Sequence, residues 1–96
     1  MQLHLMINIT FDPVKRQSTL RERGLDFADA AEVFAKRHTV AEDTRFPYPE
    51  PRFISAGWLR DRMVVLVWTP TPGGRRVISM RYCLAKEEER WRAALG

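Results

Sequence analysis

One cysteine, Cys83, stands in this chain of 96 residues, so no internal disulfide can brace it, and a reducing compartment such as the cytosol is the expected home. Histidine is nearly as scarce. His4 and His38 lie far apart and, with a single cysteine, fall short of a zinc-site pattern, so both read as surface residues and neither a metal nor another cofactor is expected. The longest apolar run, Met63 to Trp68, is far shorter than the ~20 residues that a membrane helix needs. The N-terminus lacks the basic, apolar and small-residue segments of a secretory signal, and Met6 offers a second candidate start. Also missing are a Ser/His or Cys/His nucleophile pattern, a paired-carboxylate motif and a Gly-rich phosphate loop, which sets the familiar enzyme classes aside.

Lysine is scarce too, and that absence is informative. Of 16 cationic side chains only Lys15, Lys36 and Lys86 are lysines, so the net charge of +4 is carried almost wholly by arginine. Arginine's planar fork grips phosphates and carboxylates with two parallel hydrogen bonds, whereas lysine is a mobile point charge. A nucleic acid or an acidic protein is the expected partner, a solvated surface being the ordinary alternative. With 45% hydrophobic and 29% charged residues, and with no repeat or linker, the whole chain 1–96 reads as one domain.

Local patterns give the architecture. Met6–Phe11 reads as a short strand stopped by Asp12-Pro13; Asp12 is placed to cap a helix, Pro13 suits its first turn, and Gly24 suits its left-handed end. Asp26 is placed to cap a second helix with Phe27, Ala30, Ala31 and Phe34 on one buried face. Four β-prone runs follow: Thr39–Asp43, Arg52–Trp58, Met63–Thr69 and Arg75–Cys83. The connections Leu59–Arg62 and Thr71–Gly74 are too short for anything but hairpins. A closing helix puts Leu84, Trp91 and Leu95 on one face and offers Glu88 and Arg92 as an i,i+4 pair. The expectation is an α+β fold: a small antiparallel β-sheet packed with two N-terminal helices and a C-terminal helix.

The residues with chemical potential are arginines near aromatic and acidic groups. Asp43, Arg45, Tyr48, Glu50 and Arg52 cluster around the stiff stretch Phe46-Pro47-Tyr48-Pro49-Glu50-Pro51, and Arg81 ends the last strand. Attack by a ribose 2′-hydroxyl needs a proton acceptor, donors for the charge growing on phosphate and an acid for the leaving oxygen, and arginine serves the second need. Simple alternation places Val77, Ser79 and Arg81 on one face of their strand and Ile78, Met80 and Tyr82 on the other. Each feature has a plainer reading. Arg81 can pair with Glu87, Tyr48 can stack on a base, donate a proton or cover a core edge, and Trp58, Trp68 and Trp91 read as core.

Several segments in order resemble the BrnT-type toxins of type II toxin–antitoxin systems. Phe11-Asp12-Pro13-Val14-Lys15 and Arg23-Gly24-Leu25-Asp26-Phe27, leading to Ala30-Ala31-Glu32-Val33-Phe34, are similar to the family's opening. Asp43, Arg45, Tyr48, Glu50 and Arg52 match its D-x-R-x-x-Y-x-E-x-R segment, followed by Ala56-Gly57, and Arg75–Arg81 is similar to its final strand. Departures occur at Thr19, Glu22-Arg23, Pro49 and Tyr82. The resemblance implies a RelE-like fold and a ribonuclease that arrests translation, and attack by the ribose 2′-hydroxyl requires no metal, so a metal-independent reaction is expected. It also implies a BrnA-type antitoxin that binds DNA, represses the shared operon and joins the toxin in a hetero-oligomer, 2:2 being one arrangement. Under it Arg52, Arg81, Tyr48 and Glu50 form a catalytic set, and Lys15, Arg45, Arg75 and Arg76 contact RNA. The competing reading is a toxin-fold module without catalysis that binds its antitoxin or RNA and acts in operon repression. Direct DNA recognition is disfavoured, because no helix carries a basic stripe in a helix-turn-helix arrangement.

Overall fold

The computed structural model describes residues 8–95, so His4, Met6 and the first part of the expected Met6–Phe11 strand lie outside the described residues. Strand β1 (Asn8–Thr10) leads to helix α1 (Pro13–Arg23), which the Asp12 carboxylate caps by accepting from the Val14 N–H at 2.9 Å and which Gly24 ends at φ +69°. Asp26 caps the next segment in the same way, accepting from the Ala28 N–H at 2.9 Å. That segment is a 3₁₀ turn (Phe27–Asp29) followed by a short α2 (Ala30–Phe34), where sequence spacing suggests one regular helix. The tighter turn rotates the residues behind it: Ala30, Val33 and Phe34 are buried, whereas Ala31, expected inside, is exposed. Arg16 donates to both Asp26 oxygens at 2.8 and 2.9 Å, which ties α1 to this segment.

Four more strands and a helix complete the described chain: β2 (Ala41–Glu42), β3 (Phe53–Leu59), β4 (Arg62–Thr71), β5 (Gly74–Tyr82) and α3 (Ala85–Leu95). The sheet order is β1-β5-β4-β3-β2. The β3–β4 and β4–β5 hairpins are antiparallel, as their short turns require, but β1 runs parallel to β5, so the sheet is mixed rather than antiparallel. The reason is connection length. Hairpin logic binds strands joined by a few residues, and β1 is separated from the others by two helices, so its direction is free. It packs closely: a Cβ at Gly74 would run into the Asn8 carbonyl, so this position admits no larger residue without displacing β1.

The core lies between the segment 25–34 and one sheet face, and α1, expected to pack on the sheet, buries none of its residues. Leu25, Phe27, Ala30, Val33 and Phe34 meet Leu59, Val64, Leu66, Trp68, Val77 and Met80, with Phe11, Phe53 and Tyr82 at its margin. Trp68 is buried and donates through Nε1 to Ser55 Oγ at 2.9 Å, while Trp58 and Trp91 are only half-buried. His38 is also half-buried, its ring edge-on to Phe34.

Strand β5 departs from simple alternation. Val67 pairs with Ser79 and Trp68 with Val77, so Ile78 is an extra residue, a β-bulge. Val77, expected beside Ser79 and Arg81, is therefore 2% exposed in the core with Met80, while Ser79 and Arg81 face outward. The opposite, outer face is covered only in part, by α3, whose Leu95 is buried. The expected Glu88–Arg92 pair forms at 3.4 Å.

Candidate active site

Directly paired residues on antiparallel strands share a face, so the outer face can be read as rows. The row Ala56, Val65, Arg81 and the row Ile54, Val67, Ser79 follow from the strand register. A third row holds Thr69 and Arg76, with Arg52 one step before the Phe53–Trp68 pair and hence beside Thr69. Thr69 Oγ1 donates to the Pro51 carbonyl at 2.6 Å, which fastens the Pro-rich loop to β4 at this row. The rows of Arg52 and Arg81 are four residues apart, about 13 Å at ~3.3 Å per residue.

Where β1 ends at Thr10, the edge of β5 at Val77 and Ile78 is left to the start of α1. There a cavity of about 400 Å³ is lined by Asp12, Lys15, Glu50, Arg52, Thr69 and Arg76 together with Val77 and Ile78. Three cations face two carboxylates, and one of those carboxylates, Asp12, is engaged in capping α1. Arg52 Nε donates to Glu50 Oε1 at 2.9 Å, and its guanidinium lies 4.1 Å from the centre of the Tyr48 ring, so it is held from two sides. No carboxylate among the described residues pairs with Lys15 or Arg76.

Glu50 and Arg52 also line a second cavity, of about 600 Å³, formed within the loop from Glu42 to Arg52. Prolines 47, 49 and 51 restrict that backbone, and the Tyr48 N–H donates to the Phe46 carbonyl at 2.9 Å in a tight turn. Inside the loop, Asp43 is 4% exposed and takes two hydrogen bonds of 2.8 Å from Arg45. This pairing holds the Asp43 carboxyl far below the usual carboxylate range and raises the Arg45 guanidinium in turn.

A third cavity, of about 210 Å³, includes Arg45, Ser79, Arg81, Glu87 and Trp91. Here Arg81 donates to both Glu87 oxygens at 2.7 and 2.8 Å, and the Leu84 N–H adds a bond of 2.9 Å to the same carboxylate. Arg81 first, and then the Leu84 amide, push the Glu87 carboxyl down to about 2. Arg45 and Arg81 are thus each occupied by a carboxylate of their own. No group of three or more His, Cys, Asp or Glu side chains among the described residues is disposed to hold a metal ion.

Of the residues singled out in the sequence, Lys15, Glu50, Arg52 and Arg76 share the first cavity, Tyr48 stands beside it, and Arg45 and Arg81 meet in the third. Arg75, expected with Arg76 among the RNA-contacting arginines, is on the other face. Its guanidinium sits 4.3 and 4.2 Å from the ring centres of Phe34 and Trp68, and burial pushes its pKa down. Adjacent strand residues cannot share a face, so only one of the two could join the cavity. Sequence reasoning did not name Thr69, which is buried in an apolar strand, or assign Asp12 a place beyond its cap. The three-residue interval from Asp12 to Lys15 across one helical turn was the available signal.

A family model described as the ribonuclease toxin, BrnT, of type II toxin–antitoxin systems matches residues 11–87. The crystal structure of the Brucella abortus ribonuclease toxin BrnT is similar to this chain, with a TM-score of 0.63 and 30% sequence identity over 81% of this chain and 97% of that one. No curated protein sequence matches.

Proposed function

The chain belongs to the BrnT family of ribonuclease toxins of type II toxin–antitoxin systems, and on that premise we propose that it cleaves RNA, without a metal, in the cavity between α1 and the Pro-rich loop. The observation that carries the proposal is the convergence of Lys15, Arg52 and Arg76 with the Glu50 carboxylate around one opening. In the reaction, the ribose 2′-hydroxyl attacks the neighbouring phosphorus and the 5′-oxygen leaves, giving a 2′,3′-cyclic phosphate and a 5′-hydroxyl. Glu50 accepts the proton of the attacking hydroxyl. Arg52 and Arg76, standing in one row, donate to the phosphate oxygens as charge grows on them, and Lys15 supplies the proton to the departing oxygen. Tyr48 positions Arg52 by stacking beneath it.

Arg45 and Arg81 have another part in this reading. Each is held bidentately by Asp43 or Glu87, and Arg81 is about 13 Å from the cavity's row by strand rise. They fix the loop and α3 rather than the reacting phosphate. A type II toxin has an antitoxin; here a BrnA-type protein, acting in the cytosol and carrying the DNA contacts, covers the basic face through acidic groups and stops translation arrest.

The test is cleavage of RNA by protein freed of any copurifying partner and refolded, with and without a chelator, beside Arg52→Ala. Cleavage that resists the chelator and disappears in the variant is the expected result. If the refolded protein cuts neither free RNA nor RNA in a translation extract, the reaction is wrong and the face is a binding surface only.

A further inference from the structure

Phe46 is the most exposed aromatic side chain of the Pro-rich loop, at 66% exposure, where an apolar ring gains nothing from water. Its one aromatic partner among the described residues is Tyr48, edge-on at 5.8 Å and 74°, a contact that leaves a broad ring face of Phe46 uncovered. Proline on both sides of Tyr48 and after Glu50 stiffens the presentation, so little conformational freedom is lost when a ligand covers the ring. The ring lines the loop cavity, and that cavity shares Glu50 and Arg52 with the cavity where a phosphate would react. Moving along the loop, a ligand therefore meets in turn an aromatic ring, a ring stacked under a guanidinium, and a cationic cleft.

From this continuity we propose that Phe46, with Tyr48 behind it, is a nucleobase-stacking subsite: the base of a nucleotide flanking the reacting phosphate lies on the Phe46 ring, in single-stranded RNA. The inference rests on the ribonuclease reading and adds to it the strand state of the substrate and a residue that selects where the cut falls. A flat aromatic face accepts any base, so the subsite contributes affinity and register more than base identity. Its stiffness suits an unpaired nucleotide, since bases stacked inside a duplex present only their edges.

The experiment measures binding of a short 2′-O-methyl RNA, which lacks the attacking hydroxyl and stays intact, to the full-length protein and to Phe46→Ala and Phe46→Trp. The same oligonucleotide is then used with an abasic site at each position in turn. Phe46→Ala should bind about tenfold more weakly and Phe46→Trp about as well as the unaltered chain. One abasic position should weaken the unaltered chain to a similar degree while leaving Phe46→Ala no weaker than it already is, because the two changes remove the same contact. Melting temperatures of both variants should match that of the unaltered chain, since the ring is exposed. Additive losses at every abasic position overturn the subsite. So does a Phe46→Ala variant that binds RNA normally, including one that instead loses affinity for the antitoxin. An unaltered chain that binds no RNA overturns the ribonuclease reading and this subsite with it.

Discussion

The cavity beside α1 and the patch beneath α3 are both lined by cations and differ in how many of those cations have an acidic partner: Arg52 is paired with Glu50 in the first, but its neighbours are not. In the cavity three cations face two carboxylates, and Lys15 and Arg76 have no acidic partner among the described residues. Beneath α3 every guanidinium is matched, Arg45 by Asp43 and Arg81 by Glu87. Both regions are basic in sequence, yet only the first has charge left for a phosphate. Arginine content therefore says little about where an anion binds until each partner is known. The partners are set by the fold, since Glu87 reaches Arg81 only because α3 turns back over the outer face.

Paired substitutions distinguish the two regions most directly. Arg52→Ala should reduce the rate of RNA cleavage by ~10²–10³, whereas Arg81→Ala should leave it within about tenfold. Equal losses with unchanged melting temperatures would erase the distinction between the two regions.

Arg75→Ala should show a third behaviour. Its ring-stacked guanidinium contributes to packing, so the variant should lose about 1–2 kcal/mol of stability, with a melting temperature roughly 5–15 °C lower. Cleavage per folded molecule, measured well below that temperature, should not change. A loss of cleavage in the fully folded variant would return Arg75 to the site.

Acid titration sharpens the contrast further. The Glu87 carboxyl is depressed from 4.5 to about 2 in the folded chain, so the stability it confers is complete above the unfolded value and disappears as pH falls through about 2. Thermal melts of Glu87→Gln should lie a few degrees below those of the unaltered chain at neutral pH and converge with them as pH drops from about 4.5 towards 2. Curves that run parallel over that range would mean that the Arg81–Glu87 pair adds no stability.

The smallest effect concerns salt. Binding of 2′-O-methyl RNA should weaken linearly in log–log plots against salt concentration, and Lys15→Ala should flatten that slope by about 0.7. Arg45→Ala should leave the slope unaltered, because its guanidinium is already neutralised by Asp43.

Much of this arrangement is legible in the sequence. The strands β3, β4 and β5 agree with the β-prone runs to within a few residues because tight turns bound them, and Asp12, Asp26 and Gly24 signal their caps through local geometry alone. What escaped the sequence is what depends on distant chain. The direction of β1 is fixed by its pairing with a strand more than sixty residues later, and the bulge at Ile78 by its fit against β4. The grouping of the site followed from those two features. The family resemblance implied Lys15, Arg45, Tyr48, Glu50, Arg52 and Arg81 around one face, whereas in the structure Lys15, Glu50 and Arg52 line one cavity and Arg45 and Arg81 another.

The parallel pairing of β1 with β5 also bears on how the protein comes into being. The cleft takes Asp12 and Lys15 from the beginning of the chain and Arg76 from near its end, so it cannot exist on a nascent chain until β5 has left the ribosome and inserted between β1 and β4. A product of synthesis interrupted before Tyr82 lacks part of the strand on which both halves of the cleft are assembled, so under the proposed reaction its RNA cleavage should be absent.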